Sequence, residues 1–325
     1  MELKPCRIVV AGATGLTGAA IVKFILENHP HATVVGTHFA TSPFFIHPRL
    51  TYVRADLSSK DDCRIALDNC DYFIMSARKG AGAGSAKTEP HHQVTENVIM
   101  DTTVLEACYL QKVKKVVYIS SACVYQEFDG FIREDQLDLN KEPHQAYFGV
   151  AWAYRFTEKL CEFWHKKFGM EIIVLRAANV YGPYGKFDPS RSNFIPALIR
   201  KAVDRMDPFE VWGTPDVVRD VIYCEDSARA VFDSIFKADI KFDIFNLGTN
   251  QKTRVGDVVD FALKAAGHKP TKVVYASDKP TTIPFRALDC GKLRHAAGWN
   301  PVFSLEEGIR RTTDWWKGSR ETWKK

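Results

Sequence analysis

The sequence predicts an α/β fold, a doubly wound parallel sheet with a smaller C-terminal lid, and three observations carry that expectation. Apolar, β-branched runs alternate with amphipathic stretches through about the first 180 residues. The first of these runs leads directly into a glycine-rich turn that opens a helix. Beyond Arg176 the alternation stops and short elements take over. Parallel strands need a crossover of a dozen or more residues, so a strand-helix rhythm of this spacing reads as a parallel sheet.

Taken in order, short runs rich in Val, Ile and aromatic residues place strands at Arg7–Ala11, Thr33–Thr37, Thr51–Val53, Tyr72–Ser76, Lys115–Ser120 and Ile172–Arg176. Between them, apolar residues at helical spacing place helices at Gly15–Asn28, Val94–Tyr109 and Phe148–Phe168. Turn residues cluster over Tyr181–Asn193, and an apolar helix follows from Phe194. Residues 1–178 are expected to form the sheet domain, with segments near 214–240 and 280–292 returning to it. Residues 179–325 form mainly the lid. Trp315, Trp316 and Trp323 lie among basic residues in the last helix, which reads as a packed amphipathic end.

Bulk properties narrow the function classes. The chain has 325 residues, 46% hydrophobic and 26% charged, enough for about two domains with a real core. No segment approaches the ~18 apolar residues of a membrane span, and Arg7 enters a strand where a leader would carry its apolar region. A cytoplasmic protein is expected. The eight cysteines form no Cys-x-x-Cys pair, so neither a zinc ribbon nor a redox dithiol is supported and no metal is expected. The net charge of +5 is spread without runs, which argues against nucleic acid and suits a diphosphate ligand.

Gly12, Gly15 and Gly18 follow the first strand and open the first helix. Glycine allows the tight turn and lets a pyrophosphate approach N–H groups at the positive helix end. The Gly-x-x-Gly-x-x-Gly spacing resembles the short-chain dehydrogenase/reductase superfamily, whose sheet is a Rossmann fold. The resemblance implies a nicotinamide dinucleotide, NAD or NADP, held by Gly12, Thr14, Gly15, Leu16 and Gly18, by Asp56 and Leu57 beside the adenine, and by Ser76 and Ala77. At the end of the second strand, where an acid normally grips the NAD ribose, stand Thr37 and His38. The missing carboxylate favours NADP, although no Arg adjoins the site. The stretch Gly80–Ser85 with Lys87 and Thr88 is not a P-loop, since no Gly precedes the Lys and it follows the fourth strand. A loop able to close over a ligand is the expectation there.

Further motifs are Ser120-Ser-Ala-Cys-Val-Tyr125, Asn179-Val-Tyr-Gly-Pro183, Val211-Trp-Gly213 and Arg219-Asp-Val-Ile-Tyr223. With the stretch from Tyr181 to Pro196, they resemble the extended short-chain dehydrogenases of the NAD-dependent epimerase/dehydratase family that act on nucleotide sugars. Among these the GDP-L-fucose synthases are most similar. The resemblance implies that Ser121 bonds the sugar C4 oxygen, that Asn179 and Arg219 hold the diphosphate, and that Trp212 lies near the nucleobase. Core packing for Trp212, and an ion pair with Asp220 or Asp226 for Arg219, remain alternatives.

The catalytic helix departs from the family. Its Tyr and Lys, four residues apart, fall on Val150 and Tyr154. Valine moves no proton, and a neutral phenol lacks the fixed charge of an ammonium. Tyr147 and Tyr154, each a turn from Val150, are the candidate replacements. The family's epimerising Cys and His fall on Cys123 and Asn193, so one partner of the pair survives. Two readings stay open: a nucleotide-sugar epimerase, dehydratase or ketoreductase with a GDP-sugar as the favoured substrate, and a non-catalytic protein that binds cofactor and nucleotide sugar as a sensor or partner subunit. The resemblance also implies a homodimer packed through the helices Val94–Tyr109 and Phe148–Phe168.

Overall fold

The computed structural model describes residues 4–80, 90–237, 239–277 and 283–323. The sequence Cys6-Arg-Ile-Val-Val-Ala11 forms β1 (Cys6–Ala11), and alternate side chains leave its two faces. Ile8 and Val10 pack on one side with Ile21, Val22 and Ile25 of α1 (Leu16–Asn28). Val9 and Ala11 pack on the other with Cys63 and Ala66 of α2 (Lys60–Ala66) and Met100, Val104 and Leu105 of α3 (Pro90–Leu110). A strand buried on both faces is apolar at nearly every position, as a parallel sheet covered by helices requires.

The same rule builds β2 (Ala32–His38), β3 (Leu50–Arg54), β4 (Tyr72–Met75), β5 (Lys115–Ser121) and β7 (Ile172–Ala177). A seventh member, β12 (Phe242–Leu247), closes one edge, and the order is β12-β7-β5-β4-β1-β2-β3, parallel throughout. The sequence reading lacks β12 because Asp243 and Asn246 interrupt its apolar run. Asn246 is buried there for its hydrogen bonds to the Ile132 and Asp289 carbonyl oxygens, 2.8 and 2.9 Å. The sheet grows outward in opposite directions from β1, toward β2 and β3 on one side and β4, β5 and β7 on the other, and that switch point between β1 and β4 opens a crevice at the strands' carboxyl ends.

The long helices are set by their ends. α4 (Phe148–Phe168) stops at Gly169, which takes φ +70, with His165, Lys166 and Lys167 in its last turn facing the negative helix end. α4 lies beside α3, while α6 (Cys224–Phe236) packs on α1 across the sheet. Above the crevice, α5 (Phe194–Val203), α7 (Val255–Ala266) and α9 (Leu305–Ser319) pack on one another. A small sheet runs β13 (Thr253–Arg254), β10 (Val218–Arg219), β15 (Phe285–Leu288) and β6 (Phe131–Ile132). Trp316 stacks on Phe187 with centroids 4.2 Å apart, and Trp315 and Trp323 meet Tyr184, so the C-terminal tryptophans pack internally. Of the Gly80–Thr88 stretch, residues 81–88 lie outside the described residues.

Candidate active site

The glycine turn is shaped by close approach. Gly12 has φ +71, and a Cβ on it would stand 2.7 Å from Ala77 Cα at the end of β4. A Cβ on Gly18 would run into the Gly12 carbonyl oxygen. Gly15 caps α1 with no side chain bonded to the helix end and no acid in the first turn. The Gly12 N–H donates to Thr37 Oγ1 at 3.2 Å and Ala13 N–H to the Thr37 carbonyl at 3.0 Å. Thr37 is therefore buried in the turn, and His38 is the half-buried residue at the end of β2. Ser76 Oγ donates to the Ala11 carbonyl at 2.5 Å, tying β4 to β1. Asp56 Oδ1 accepts from Ser58 N–H at 3.0 Å, while Leu57 and Thr14 are buried.

Sequence order hid two cations at this end. The β2–β3 register sets Arg54 opposite His38. The Arg54 guanidinium lies 5.4 Å from the centroid of the exposed Phe39 ring, and Lys79 Nζ lies 5.6 Å from it. An Arg therefore does adjoin the carboxyl end of β2, brought there by strand pairing.

Next to the glycine turn is a cavity of about 310 Å³. Leu16 and Ser76 line it from the glycine-turn side, and Ser121, Tyr154, Asn179 and Asn193 from the opposite side. A larger open depression, about 630 Å³, lies at Val203–Arg205, Lys317 and Arg320, away from every motif. Ser121 Oγ accepts from Cys123 N–H at 3.2 Å, which leaves the hydroxyl proton to donate. Burial pushes the Cys123 thiol up to about 11, with the Ser121 bond opposing, so this sulfur is a neutral thiol at pH 7.

Arg219 and Arg286 are register partners on β10 and β15. Burial lowers both guanidinium groups from their ordinary value, and each faces Tyr147. The Arg286 guanidinium lies 5.9 Å from the Tyr147 ring centroid. The two guanidinium groups are thus neighbours across the small sheet, and sequence reasoning missed Arg286 because no motif surrounds it. Asp220 and Asp226 are engaged elsewhere. Asp220 accepts from Thr249 N–H and Oγ1, both at 2.8 Å, and Asp226 from Arg229 at 2.8 Å and Val302 N–H at 2.9 Å. Trp212 is 54% exposed at the end of β9 (Phe209–Trp212), its indole bonded to Glu210 at 2.8 Å, so it is not a core residue.

Val150 is half-buried on the first turn of α4, and it is Tyr154 that reaches the cavity. The Tyr154 hydroxyl accepts from Arg78 Nε at 3.2 Å. Burial raises the Tyr154 phenol and the Arg78 charge opposes that rise; the phenol stays neutral. Arg78, just past β4, escaped the sequence reading because no spacing links residues 78 and 154. Behind the cavity, Ser120 Oγ donates to Glu158 Oε1 at 2.6 Å and Arg176 donates to Glu158 Oε2 at 2.8 Å. Arg176 also donates to the Tyr125 hydroxyl at 2.9 Å, and Tyr125 to Asn246 Oδ1 at 2.6 Å. This buried network locks β5, α4, β7 and β12 together and so fixes Ser121 and Tyr154.

A doubly wound sheet, a glycine turn at its switch point and a Ser/Tyr cavity beside that turn define an extended short-chain dehydrogenase-type protein. Residues 8–248 match the model of the NAD dependent epimerase/dehydratase family, and the chain belongs to that family. GDP-L-fucose synthase 1 of Arabidopsis thaliana is 27% identical over 97% of this chain and 94% of its own length. GDP-mannose 3,5-epimerase 1 of Oryza sativa subsp. indica is 26% identical over 96% of this chain and 82% of its own. The resemblance drawn from the motifs is thereby borne out. Among solved structures, UDP-glucose 4-epimerase of Thermotoga maritima with UDP-glucose superposes with a TM-score of 0.85 at 23% identity, covering 97% of this chain and 99% of that one. UDP-glucuronic acid 4-epimerase of Bacillus cereus, in complex with UDP-glucuronic acid and NAD, gives 0.83 at 24%, covering 96% and 99%. Those likenesses bear out the doubly wound fold. Among the described residues, no helix is long and apolar enough to cross a membrane and no cluster of His, Cys, Asp or Glu is arranged to hold a metal.

Proposed function

We propose that the chain is a nucleotide-sugar epimerase or ketoreductase acting on a GDP-sugar with a bound nicotinamide dinucleotide. One observation carries the reading: Ser121 and Tyr154 line the same cavity as the glycine-turn residue Leu16 and the diphosphate candidate Asn179. GDP is favoured because GDP-L-fucose synthases and GDP-mannose 3,5-epimerases recur among the relatives. The turn fits a dinucleotide: Gly12 and Gly18 let the turn pack tightly against the end of β4, and Gly15 leaves the positive end of α1 with no side-chain cap and no acid in its first turn. Gly12–Gly18 would hold the pyrophosphate, Asp56 the adenine, and Ser76 and Ala77 the inner ribose. NADP is favoured over NAD: the β2 end carries no carboxylate, and Arg54 and Lys79 flank Phe39 there.

When bound, the nicotinamide supplies or accepts hydride at the sugar carbon. The chain's own part is the proton. Ser121 donates to the sugar C4 oxygen, and Tyr154, a neutral phenol in the cavity wall, gives that oxygen its proton. Arg219, with Arg286 beside it, holds the diphosphate, and Tyr147 belongs to that cationic end. The exposed Trp212 is placed to cover the base. Cys123 holds its proton too tightly to act as an efficient base at pH 7, and Asn193 orients the sugar by hydrogen bonding. A homodimer is part of the proposal: Ile99 on α3 and Phe156 and Phe163 on α4 are exposed apolar side chains suited to a four-helix interface.

The test is incubation with GDP-4-keto-6-deoxymannose in D₂O, with and without NADPH, followed by mass spectrometry and NMR. Reduction with NADPH that is lost in Tyr154→Phe supports the proposal. Deuterium beside the keto group without reduction restricts the activity to epimerisation. Tight binding with no chemistry on any nucleotide sugar would overturn the catalytic reading in favour of a binding protein.

A further inference from the structure

We propose that Arg78 takes over the fixed positive charge that the family supplies from the catalytic helix, acting through the Tyr154 hydroxyl and making that phenol the proton-exchanging group. The inference rests on the cavity being the reaction site. Its basis is a spatial exchange. The helix position that holds the family's tyrosine is Val150, and the lysine position is Tyr154, so the helix has lost its charge. A guanidinium enters the same spot from the opposite side, off the carboxyl end of β4, and also lines the cavity.

The arrangement is built. Arg78 Nε donates to Tyr154 at 3.2 Å, Nη1 to Asp101 Oδ1 at 2.7 Å and to the Ala77 carbonyl at 2.9 Å. The guanidinium also lies over the Tyr118 and Tyr154 rings, 4.7 and 5.1 Å from their centroids. Its side chain is 17% exposed and that of Asp101 is 4% exposed. Asp101 on α3 holds the fork, and its second oxygen is turned to Tyr118 and Thr157, whose hydroxyls donate at 2.7 and 2.9 Å. The carboxylate is thus shared among three donors, while Nε stays directed at the phenol. Because the Tyr154 oxygen accepts from Nε, its own proton is left for the cavity. The phenolate formed when that proton passes to the sugar oxygen faces a permanent cation. Among the described residues, the groups facing Tyr154 are Arg78, Asp101 on α3, Tyr118 on β5 and Cys123 after β5, and of these Arg78 is the cation.

The experiment places 3,5-difluorotyrosine, whose phenol titrates near neutrality, at position 154 and follows its ionisation by absorbance. It compares the otherwise unaltered protein with Arg78→Lys and with the double variant Arg78→Met/Asp101→Asn, which avoids stranding a buried carboxylate. Melting curves confirm that each variant is folded. Loss of an adjacent opposite charge moves a titration by about 1–3 units. Because Asp101 raises the phenol while Arg78 lowers it, the double variant is read against Asp101→Asn alone. The midpoint should rise by that amount between those two, and by less between the parent and Arg78→Lys. An unmoved midpoint would overturn the proposal. In turnover, the double variant should lose about 10²-fold or more in kcat with KM within a few-fold; retained kcat would likewise overturn it. The titration needs no substrate. A shift without any turnover therefore defeats the reaction reading and leaves the charge device standing.

Discussion

Glu158→Gln tests whether the site is held from behind by the buried ion pair. The Glu158 and Arg176 side chains are each 4% exposed, 2.8 Å apart, and Glu158 also accepts from Ser120 at 2.6 Å. Amide substitution leaves the Arg176 charge in the interior without its counter-ion. Breaking such a pair costs about 3–5 kcal/mol. With an unfolding entropy of about 2.1 cal/mol/K per residue, 325 residues give about 0.7 kcal/mol per degree, so the melting temperature should fall by about 4–7 °C. Differential scanning fluorimetry measures this directly. Glu158→Gln/Arg176→Met removes the stranded charge and should recover most of the loss, because an apolar replacement of a buried pair is close to neutral. A melting temperature within a degree of the parent for Glu158→Gln, or a double variant worse than the single, would refute the reasoning.

Tyr154→Phe should lower kcat by about 10²–10⁴-fold with little change in dinucleotide binding, as stopped-flow kinetics and calorimetry would show. In the parent, the reductive rate should persist to alkaline pH, since the raised phenol stays protonated until above its ordinary value of about 10. Arg54→Ala should weaken NADPH about ten-fold, about 1.4 kcal/mol, and leave NADH unchanged in a fluorescence titration. Burial raises Asp220 to about 6 from 3.8. The folded state then binds the extra proton, so this residue's stabilising contribution is present below about pH 4 and is lost as pH rises through about 6. Relative to Asp220→Asn, the parent should lose about 3 kcal/mol across that range in urea unfolding. On the proposed helix–helix interface, Ile99→Glu/Phe156→Glu should halve the mass measured by light scattering; a parent that already runs as a monomer would refute the interface.

What the sequence disclosed follows the range of the forces involved. A doubly buried strand writes itself as a continuous apolar run, so β1, β2, β4, β5 and β7 were legible within a residue or two at each end. The strand β12 was not, since Asn246 is polar for bonds to Ile132 and Asp289, residues more than forty positions away in either direction. The glycine turn was legible because its chemistry is local, yet the cations that flank Phe39 were not, because strand register alone brings Arg54 to His38.

The missing lysine shows the same division in sharper form. A Tyr-x-x-x-Lys pair is readable because a helix fixes the distance between its members; once the helix loses that pair, sequence reports only an absence. The physical demand is not for lysine but for a cation beside a phenol in a poorly solvated cavity, and a neighbouring strand end can meet it as well as a helix turn. Arg78 reaches Tyr154 across 76 residues of sequence, braced by Asp101 from a third element. A guanidinium suits that route better than an ammonium, since one planar group can bond the phenol and the bracing carboxylate at the same time. Spacing motifs record one solution to an electrostatic requirement, and the requirement itself is visible only when charges are located in space.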